Sequence, residues 1–443
     1  MTIRLSDQFS YKRLLRFTCP AIAMMLFTSI YSVVDGYFVS NFAGKSALAA
    51  MTLIVPLLGM LGAIGFMLGT GGAAIVGKLL GEGRAAEAQR SFSLFVYVAL
   101  GGGALLALAG EAVIGPLARL LGAEGELLAG SLVYGRICLL SLPFFMLQFL
   151  FQTFFVTAEK PKLGLAVTVA AGCTNMLLDA LLVALLGWGL TGAALATAIS
   201  ECIGGGLPLL YFARKNTSLL RLTRPGFSAR MLGKACGNGA SEFLNNIAFS
   251  YLIVLYNYQL LRLAGENGVA AFGILLYVSF VFSTIFAGYA IGVAPLFSYN
   301  FGAGRRDELK NLCAKSLVLN AGAGLFVALF CAWAAGPVAR AFTGYDPALC
   351  QLSTRAIRLF APAFLLFWAN VFASSLFTAL NNGRVSALIA LLRMFVFGTL
   401  SLVIMPLLFG LDGLWCAWTM AELASLAVSL SCFLHLRGRY GYA

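Results

Sequence analysis

The stretch that decides the fold lies near the start of the chain, where residues Thr18 to Ser40 read TCPAIAMMLFTSIYSVVDGYFVS. It contains one charged residue, Asp35, and a helix needs about 20 apolar residues to cross a bilayer. Similar blocks run from Leu163 to Leu186 and from Val385 to Leu408. Open strands would leave backbone groups without hydrogen-bond partners in lipid, so these blocks should be helices. The sequence predicts an all-α integral membrane protein.

The composition of the whole chain agrees with this assignment. Hydrophobic residues make up 60% of the 443 residues and charged residues 11%, with a mean hydropathy of +0.91. A soluble protein of this kind would expose large apolar patches, which aggregate. The first apolar block is too long for a signal peptide, so we expect nothing to be removed. The blocks predict twelve spans, near 15–40, 49–76, 91–114, 131–157, 163–186, 191–212, 235–260, 270–297, 314–337, 354–380, 385–408 and 413–435.

Basic residues are concentrated on one side of the predicted membrane. If both termini are cytoplasmic, the inner segments hold 22 of the 30 Lys and Arg residues and the outer loops hold seven, with Arg393 inside a span. This split is the positive-inside signature of membrane proteins. The net charge of +13 therefore reflects membrane topology, and we expect no nucleic-acid partner.

The cysteines and the histidine offer little chemistry. The ten cysteines fall mostly inside the predicted spans without a CxxC pair, and the single histidine is His435. We therefore expect neither a disulfide framework nor a metal site. Buried cysteines of this kind act as small apolar side chains.

The two halves of the chain are related by one constant offset in residue number. Gly81-Glu82-Gly83-Arg84 recurs as Gly302-Ala303-Gly304-Arg305, and Gly115-Pro116 recurs with the same offset as Gly336-Pro337. One offset through several landmarks indicates an internal duplication. Because six spans are an even number, both halves start on the same side of the membrane and the repeats are parallel.

This duplication defines the predicted domains. Residues 1–213 form an N-terminal lobe of six helices, 214–234 a cytoplasmic linker, and 235–443 a C-terminal lobe of six helices. The two lobes are expected to be related by a pseudo-twofold axis along the membrane normal. In transporters of this plan the substrate cavity lies between the lobes, and rocking of the lobes alternates access to it.

At this point the sequence resembles the multidrug and toxic compound extrusion (MATE) family. The resemblance is carried by Tyr31-Ser32-Val33-Val34-Asp35-Gly36-Tyr37-Phe38-Val39, by Leu48-Ala49-Ala50 and by the paired Gly-x-Gly-Arg loops. It covers essentially the whole chain and looks closest to the MepA-like bacterial branch. It implies a secondary active transporter in the plasma membrane that exports amphipathic, often cationic compounds in exchange for H⁺ or Na⁺.

Further expectations follow from the resemblance. No GxxxxGK[ST] phosphate loop is present in the sequence, which fits a transporter that does not use ATP. We expect no cofactor besides the coupling ion, no enzymatic activity, and a monomer whose partners are the lipid bilayer and its small-molecule substrates.

We single out six charged residues within the predicted spans, where an ionised side chain costs about 3 kcal/mol or more. Such residues are functional candidates by default. Asn175 and Asp179 are four residues apart and therefore share one helix face. The six charged residues are Asp35, Asp179, Glu201, Glu242, Arg393 and Glu422.

The resemblance assigns an ion-coupling site to the N-terminal lobe. In the family, an Asp in span one, an Asn-xxx-Asp pair in span five and a Thr in span six form this site, and the matching residues are Asp35, Asn175, Asp179 and Thr197. Pro20 matches the family proline at which span one bends. Two carboxylates close together out of water cannot easily both ionise, so such a pair can carry a proton. The same oxygen atoms suit Na⁺, and the sequence does not choose between the two ions.

The C-terminal lobe departs from this plan. The offset turns Asp35 into Tyr256 and Thr197 into Trp418, and it turns Asn175 and Asp179 into apolar residues. The matching ion site is therefore lost. Tyr256 and Trp418 suit either an aromatic wall for ligand binding or ordinary helix packing.

Other charges leave a second site open in the C-terminal lobe. Some members of the resembled family use a span-seven Glu in a cation site, and Glu242 matches that position approximately. The alternative is a Glu242–Arg393 ion pair. Glu242, Arg393 and Tyr256 are the candidate residues of this site. For Glu201 and Glu422, which are equivalent positions in the two halves, we expect a shared structural role near the inner membrane surface.

Two other functions compete with efflux. A flippase for a lipid-linked oligosaccharide would carry basic residues in its cavity to bind pyrophosphate, and only Arg393 lies clearly within a span. An intramembrane enzyme would need a nucleophile with a base or a metal, and the one histidine is close to the C-terminus.

Overall fold

The fold is a bundle of long helices, seen in a computed structural model that describes residues 3–344 and 346–443. Within those residues, ten helices are long and apolar enough to cross a membrane. They are α1 (Tyr11–Ala43), α2 (Lys45–Gly81), α3 (Ala85–Leu120), α4 (Gly125–Thr157), α5 (Pro161–Leu185), α6 (Gly189–Ala213), α7 (Ala229–Gly302), α8 (Arg306–Thr343), α9 (Pro347–Ala379) and α10 (Gly383–Tyr440).

Helices α7 and α10 each fold back on themselves at a glycine. A straight helix with the 74 residues of α7 would be about 110 Å long, against an apolar bilayer core of about 30 Å. Gly265 breaks α7 with a φ of 60°, a backbone conformation that favours glycine. The rings of Tyr256 and Phe272 consequently stack at 4.6 Å, although a straight helix would hold them about 24 Å apart. Gly410 breaks α10 in the same way, with a φ of 57°.

The connection between α6 and α7 is shorter than the predicted linker. Helix α6 ends at Ala213, but α7 begins at Ala229, so the non-helical segment covers 214–228 rather than 214–234. The Ser228 side chain accepts a hydrogen bond from the Met231 N–H and caps the helix. This cap starts α7 before the apolar residues from which the span was predicted.

Small residues let the helices of the first half approach closely. A Cβ atom added to Gly65 in α2 would lie 2.4 Å from the carbonyl oxygen of Met146 in α4. One added to Gly205 in α6 would lie 2.3 Å from the carbonyl oxygen of Phe144. Contacts of this kind are typical of membrane helices, which pack through small side chains. They fix α4 between α2 and α6.

The two halves of the chain meet where α2 crosses α7, at the end that carries the Gly-x-Gly-Arg loops. A Cβ atom on Gly81 would lie 2.0 Å from the carbonyl oxygen of Tyr299, and one on Gly302 would lie 2.1 Å from that of Lys78. Gly81 and Gly302 are equivalent positions in the two halves. The crossing therefore depends on glycine from both sides.

The segment before α1 covers the same end of the bundle. Its side chains Leu5 and Phe9 are buried in an apolar cluster that contains residues of both halves. The Leu5 N–H donates to Glu159 Oε1 (2.6 Å) in the α4–α5 connection, and the Phe9 N–H donates to Glu308 Oε1 (2.9 Å) in α8. The segment thus links the first half of the chain to the second.

Candidate functional site

The residues predicted as the N-terminal ion site come together between α1, α5 and α6. The carboxyl groups of Asp35 and Asp179 face each other within hydrogen-bonding reach. Asp179 is fully buried, and Asn175 lies one turn before it on the same helix face. Thr197 of α6 lies beside the Tyr134 hydroxyl.

The oxygen atoms of this site lack hydrogen-bond donors. In the described part of the chain, no partner is found for Asp35 Oδ1, Asn175 Oδ1, Thr197 Oγ1 or either carboxylate oxygen of Asp179. An ionised carboxylate has no hydrogen to offer, so two facing carboxylates cannot satisfy each other. A proton held between them, or a hard cation that prefers oxygen ligands, satisfies these atoms. These oxygen atoms therefore form a set of ligands that fits the predicted coupling ion.

The backbone at this site departs from regular α-helix. Asp179 begins a π-helical turn, Asp179–Leu185, and a second π-helical turn, Val39–Ala43, follows Asp35 by one helical turn. The two turns pack against each other. Wide turns of this kind are frequent at functional sites because they change the direction of side chains.

Several polar neighbours of this site were not predicted from the sequence. Tyr134 and Cys138 of α4 are buried beside it, and Ser141 donates a hydrogen bond of 2.6 Å to Glu201. The spacing of Thr197 and Glu201, four residues apart in α6, signals that Glu201 shares the face of the site. Tyr134 and Cys138 carry no such signal.

A cavity of about 480 Å³ lies between the two halves of the bundle. Its size suits a drug-sized ligand, for which pockets of about 300–1,000 Å³ are usual. Tyr31 of α1 lines this cavity one turn before Asp35, which itself points away towards α5. The other lining residues are mostly aromatic or small, and include Met25, Phe66, Phe145, Phe149, Phe249, Phe280, Phe367 and Trp418.

Aromatic rings fill the region of the second half that corresponds to the ion site. Tyr256 is buried, stacks on Phe272 and lies 6.3 Å from the ring of Trp418. Trp418 lines the central cavity, whereas Tyr256 packs behind it. Of the two uses predicted for these rings, the cavity wall applies to Trp418 and helix packing to Tyr256.

Arg393 pairs with Glu422, whereas one of the two alternatives from the sequence paired it with Glu242. Its guanidinium donates through Nη2 to Glu422 Oε1 (2.6 Å) and through Nε at 3.0 Å to the same carboxylate. Asn370 Nδ2 donates to Glu422 Oε2 (2.7 Å), and Ser429 donates to the Asn370 amide oxygen. Glu422 contacts the buried side of Arg393. The sequence does not reveal which neighbouring helix packs against that side.

Glu242 lies on the cavity wall, where Arg393 and Trp418 also contribute. Among the ion pairs of the described residues, none includes Glu242. The structure therefore brings Glu242 and Arg393 to one surface and leaves the Glu242 carboxylate directed towards the cavity.

Pro20 lies within α1, which remains helical through it. The helix turns on both sides of Pro20 are held against α7. A Cβ atom on Gly292 would lie 3.0 Å from the Thr18 Cβ, and one on Gly288 would lie 2.6 Å from the Ile22 Cα. Proline removes one backbone hydrogen bond and weakens the helix at that point. The half of α1 that carries Asp35 begins beyond this clamp.

Comparison with known proteins gives one family. The model of the MatE family matches the chain twice, at residues 20–181 and 243–404. The multidrug export protein MepA of Staphylococcus aureus (strain MRSA252) is 25% identical over 433 residues, which cover 97% of this chain and 94% of MepA. MepA of Staphylococcus haemolyticus (strain JCSC1435) is 26% identical over 434 residues, which cover 96% and 93% of the two chains.

A solved structure has the same fold. It is described as the outward-facing conformation of a multidrug resistance MATE family transporter of the MOP superfamily. The TM-score is 0.91 at 21% sequence identity, with 98% of this chain and 97% of that chain covered. At this identity the similarity concerns the arrangement of the helices.

Proposed function

The chain belongs to the MatE family, as its sequence predicted, and from this premise we propose that it is a multidrug efflux antiporter. It exports amphipathic, often cationic compounds and takes up H⁺ or Na⁺ in exchange. The names of its MepA relatives support the export of drugs. The chain is an integral, multi-pass membrane protein, and its bacterial MepA relatives support a location in the plasma membrane.

The proposed topology has twelve spans in two parallel lobes. The breaks at Gly265 and Gly410 turn α7 and α10 into two spans each, which with the eight other helices gives twelve. The Gly-x-Gly-Arg loops, both termini and the linker then face the cytoplasm. The two matches of the family model, one in each half, support a division into lobes. The protein acts as a monomer.

The central cavity is the proposed substrate site. Its aromatic wall buries the apolar part of a ligand, and Glu242 attracts a positive charge. Arg393 is the only basic residue among the described residues that line the cavity, and Glu422 neutralises it. This arrangement disfavours a pyrophosphate group and therefore disfavours the flippase alternative.

Coupling occurs at Asp35, Asn175, Asp179 and Thr197. When the cavity is open to the outside, these residues bind H⁺ or Na⁺ and neutralise the facing carboxylates. Helix α1 then bends beyond the clamp around Pro20, and Tyr31 moves with it into the cavity. The ligand loses space and is displaced outwards. One observation supports this cycle in this chain. Buried oxygen atoms of Asp35 and Asp179 have no hydrogen-bond donors among the described residues.

The proposal is tested by efflux of ethidium from proteoliposomes under an imposed H⁺ or Na⁺ gradient. Wild type is expected to follow one of the two gradients, which identifies the ion. Asp35→Asn and Asp179→Asn are each expected to abolish gradient-driven efflux, because each removes one of the two facing carboxylates. Glu266→Gln, a change of an exposed acid outside the site, serves as the matched control and should transport normally. Gradient-driven efflux that survives both site variants would move coupling away from these residues.

A further inference from the structure

Glu201 is a buried carboxylate that the proposed cycle does not use. It is 8% exposed and lies four residues after Thr197 on the same face of α6. Among the described residues its one hydrogen-bond donor is Ser141, at 2.6 Å from Oε2. No Lys, Arg or His of the described ranges lies within ion-pair distance of it. Glu201 is therefore a buried acid with a single neutral donor.

The equivalent glutamate of the second half makes the contrast clear. Glu422 occupies the position that matches Glu201 under the constant offset, and it is bound by the Arg393 guanidinium and the Asn370 amide. That environment holds a permanent negative charge. Glu201 has no such partners, and a carboxylate out of water is strongly disfavoured as an ion unless it is paired. The site thus requires Glu201 to bind a positive charge of its own.

The groups around Glu201 belong to the N-terminal ion site. Their titratable members are Tyr31 and Asp35 of α1, Tyr134 and Cys138 of α4 and Cys202 of α6 itself. No Lys, Arg or His of the described residues is among them. Glu201 therefore lies in the polar surroundings of the ion site without a cation to neutralise it.

A buried side-chain oxygen of α4, packed against the turn of α6 that follows Glu201, also lacks a hydrogen-bond donor. Gln148 is 6% exposed, its Oε1 has no partner among the described residues, and it packs against Gly204. The Gln148 Nε2 donates to the hydroxyl of Tyr31, which lines the central cavity. Tyr31 and Gln148 thus form a polar path between the cavity and the helix turn after Glu201.

We propose that Glu201 is a third ion-carrying carboxylate of the N-terminal lobe, which binds one proton in addition to the ion held by Asp35 and Asp179. This inference rests on the proposed antiport function. The Glu201 carboxylate takes the proton from water on the outer side and returns it to water on the cytoplasmic side. Two positive charges then enter for each compound exported. When the compound is a monovalent organic cation, each cycle moves one net positive charge inwards.

The transport test compares wild type with Glu201→Gln, which keeps the shape of the side chain and the bond from Ser141. Proteoliposomes are given a proton gradient with the membrane voltage held at zero, and the steady-state accumulation of ethidium is measured. One proton fewer per cycle lowers the accumulation ratio about tenfold per pH unit. Glu201→Asp, which keeps the acid, should retain the wild-type ratio, and Glu266→Gln, a change of an exposed acid outside the site, should leave it unchanged. An unchanged ratio in Glu201→Gln overturns the inference.

A second measurement does not depend on transport. Infrared difference spectra between alkaline and acidic samples of the purified protein report each carboxyl group that gains a proton. Glu201→Gln should remove one carboxyl band while the bands that disappear in Asp35→Asn and Asp179→Asn remain. Loss of the Glu201 band in a protein that transports nothing would refute the efflux function and keep Glu201 as a protonation site. Spectra identical to wild type would refute the role of Glu201.

Discussion

Buried charges in this chain are stabilised in two different ways at the level of single residues. Arg393 and Glu422 form a complete ion pair, with further donors from Asn370. Asp35 and Asp179 face each other, and Asp35 Oδ1 and both Asp179 oxygens find no hydrogen-bond donor in the part of the chain that the structure describes. The first arrangement is static because every charge has a partner, whereas the second is complete only with a bound ion. The Arg393–Glu422 pair therefore suits a structural role, and the Asp35–Asp179 pair suits the proposed coupling role.

The ion pair leads to a prediction about stability. Arg393→Gln leaves the Glu422 carboxylate buried without a cation, and breaking a buried pair in this way costs about 3–5 kcal/mol. The midpoint of thermal unfolding in detergent should fall clearly below that of wild type. The double variant Arg393→Met, Glu422→Gln removes both charges and should recover most of the loss. Arg384→Gln, at an exposed position, is the control and should unfold like wild type.

Glu159, outside the spans, leads to a prediction about pH. Its burial raises the pKa of this carboxyl above the ordinary value, although the Leu5 N–H partly opposes the shift. The folded state therefore holds the proton more tightly than the unfolded state and is penalised when Glu159 ionises. Glu159→Gln should unfold at a higher temperature than wild type at pH 7, and the difference should vanish below the unperturbed pKa of about 4.3. A difference that does not change with pH would assign the effect to packing instead.

How far the sequence predicts single residues depends on the signal that each one carries. Asp35 and Asp179 were singled out because charged side chains in apolar spans are rare. The family resemblance added Asn175 and Thr197 to the site, and the structure brings these residues together. The partner of Arg393 was not predicted, because the sequence does not reveal which neighbouring helix face it contacts.

At the scale of helices, the sequence predicted the apolar segments better than their ends. Residues 229–234 were assigned to the linker because they continue its basic stretch with Arg230 and Lys234, yet the Ser228 cap starts α7 there. The turns at Gly265 and Gly410 were expected as loops between spans. In the structure a single glycine with positive φ suffices at each turn, so helical backbone continues almost up to it.

The crossing of α2 and α7 leads to a prediction about conformational change. Gly81→Ala and Gly302→Ala each place a Cβ atom close to a backbone carbonyl oxygen of the opposite half, at 2.0 and 2.1 Å. Backbone atoms cannot yield to such a contact, so closure of this end should be blocked. Ethidium binding to the purified variants should persist, while efflux from proteoliposomes should fall by at least about tenfold, because the cycle requires both ends to close in turn.

A matched glycine provides the control for this experiment. Gly101 of α3 has no atom within 4 Å of an added Cβ and has an ordinary helical backbone. Gly101→Ala should transport like wild type and be slightly more stable, because alanine is the better helix former. Normal efflux in Gly81→Ala and Gly302→Ala would mean that the glycine crossing is not part of the gate.

At the scale of the whole molecule, the sequence reveals the duplication, but it reveals only part of the difference between the two halves. The constant offset between the halves predicted that the second half lacks the ion site. It did not predict that Tyr256, Phe272 and Trp418 fill the corresponding space as a stack of rings. The boundaries of the cavity were not predicted either, because its walls come from both halves and depend on their relative orientation.

This asymmetry has a consequence for the coupling of ion and ligand. The ion site lies in one half only and is connected to the cavity through Tyr31, which lines the cavity one turn before Asp35. If binding of the ion shrinks the cavity, the ion lowers the affinity for the ligand, and by linkage the ligand lowers the affinity for the ion by the same factor.

The Kd of ethidium for the purified protein should therefore rise by about tenfold when the coupling ion saturates its site, within the usual range of about 5–150-fold. Asp35→Asn should have the raised Kd without the ion and should not respond to it. A Kd that is independent of both H⁺ and Na⁺ in wild type would show that the ion acts on the rate of the conformational change and not on the affinity of the cavity.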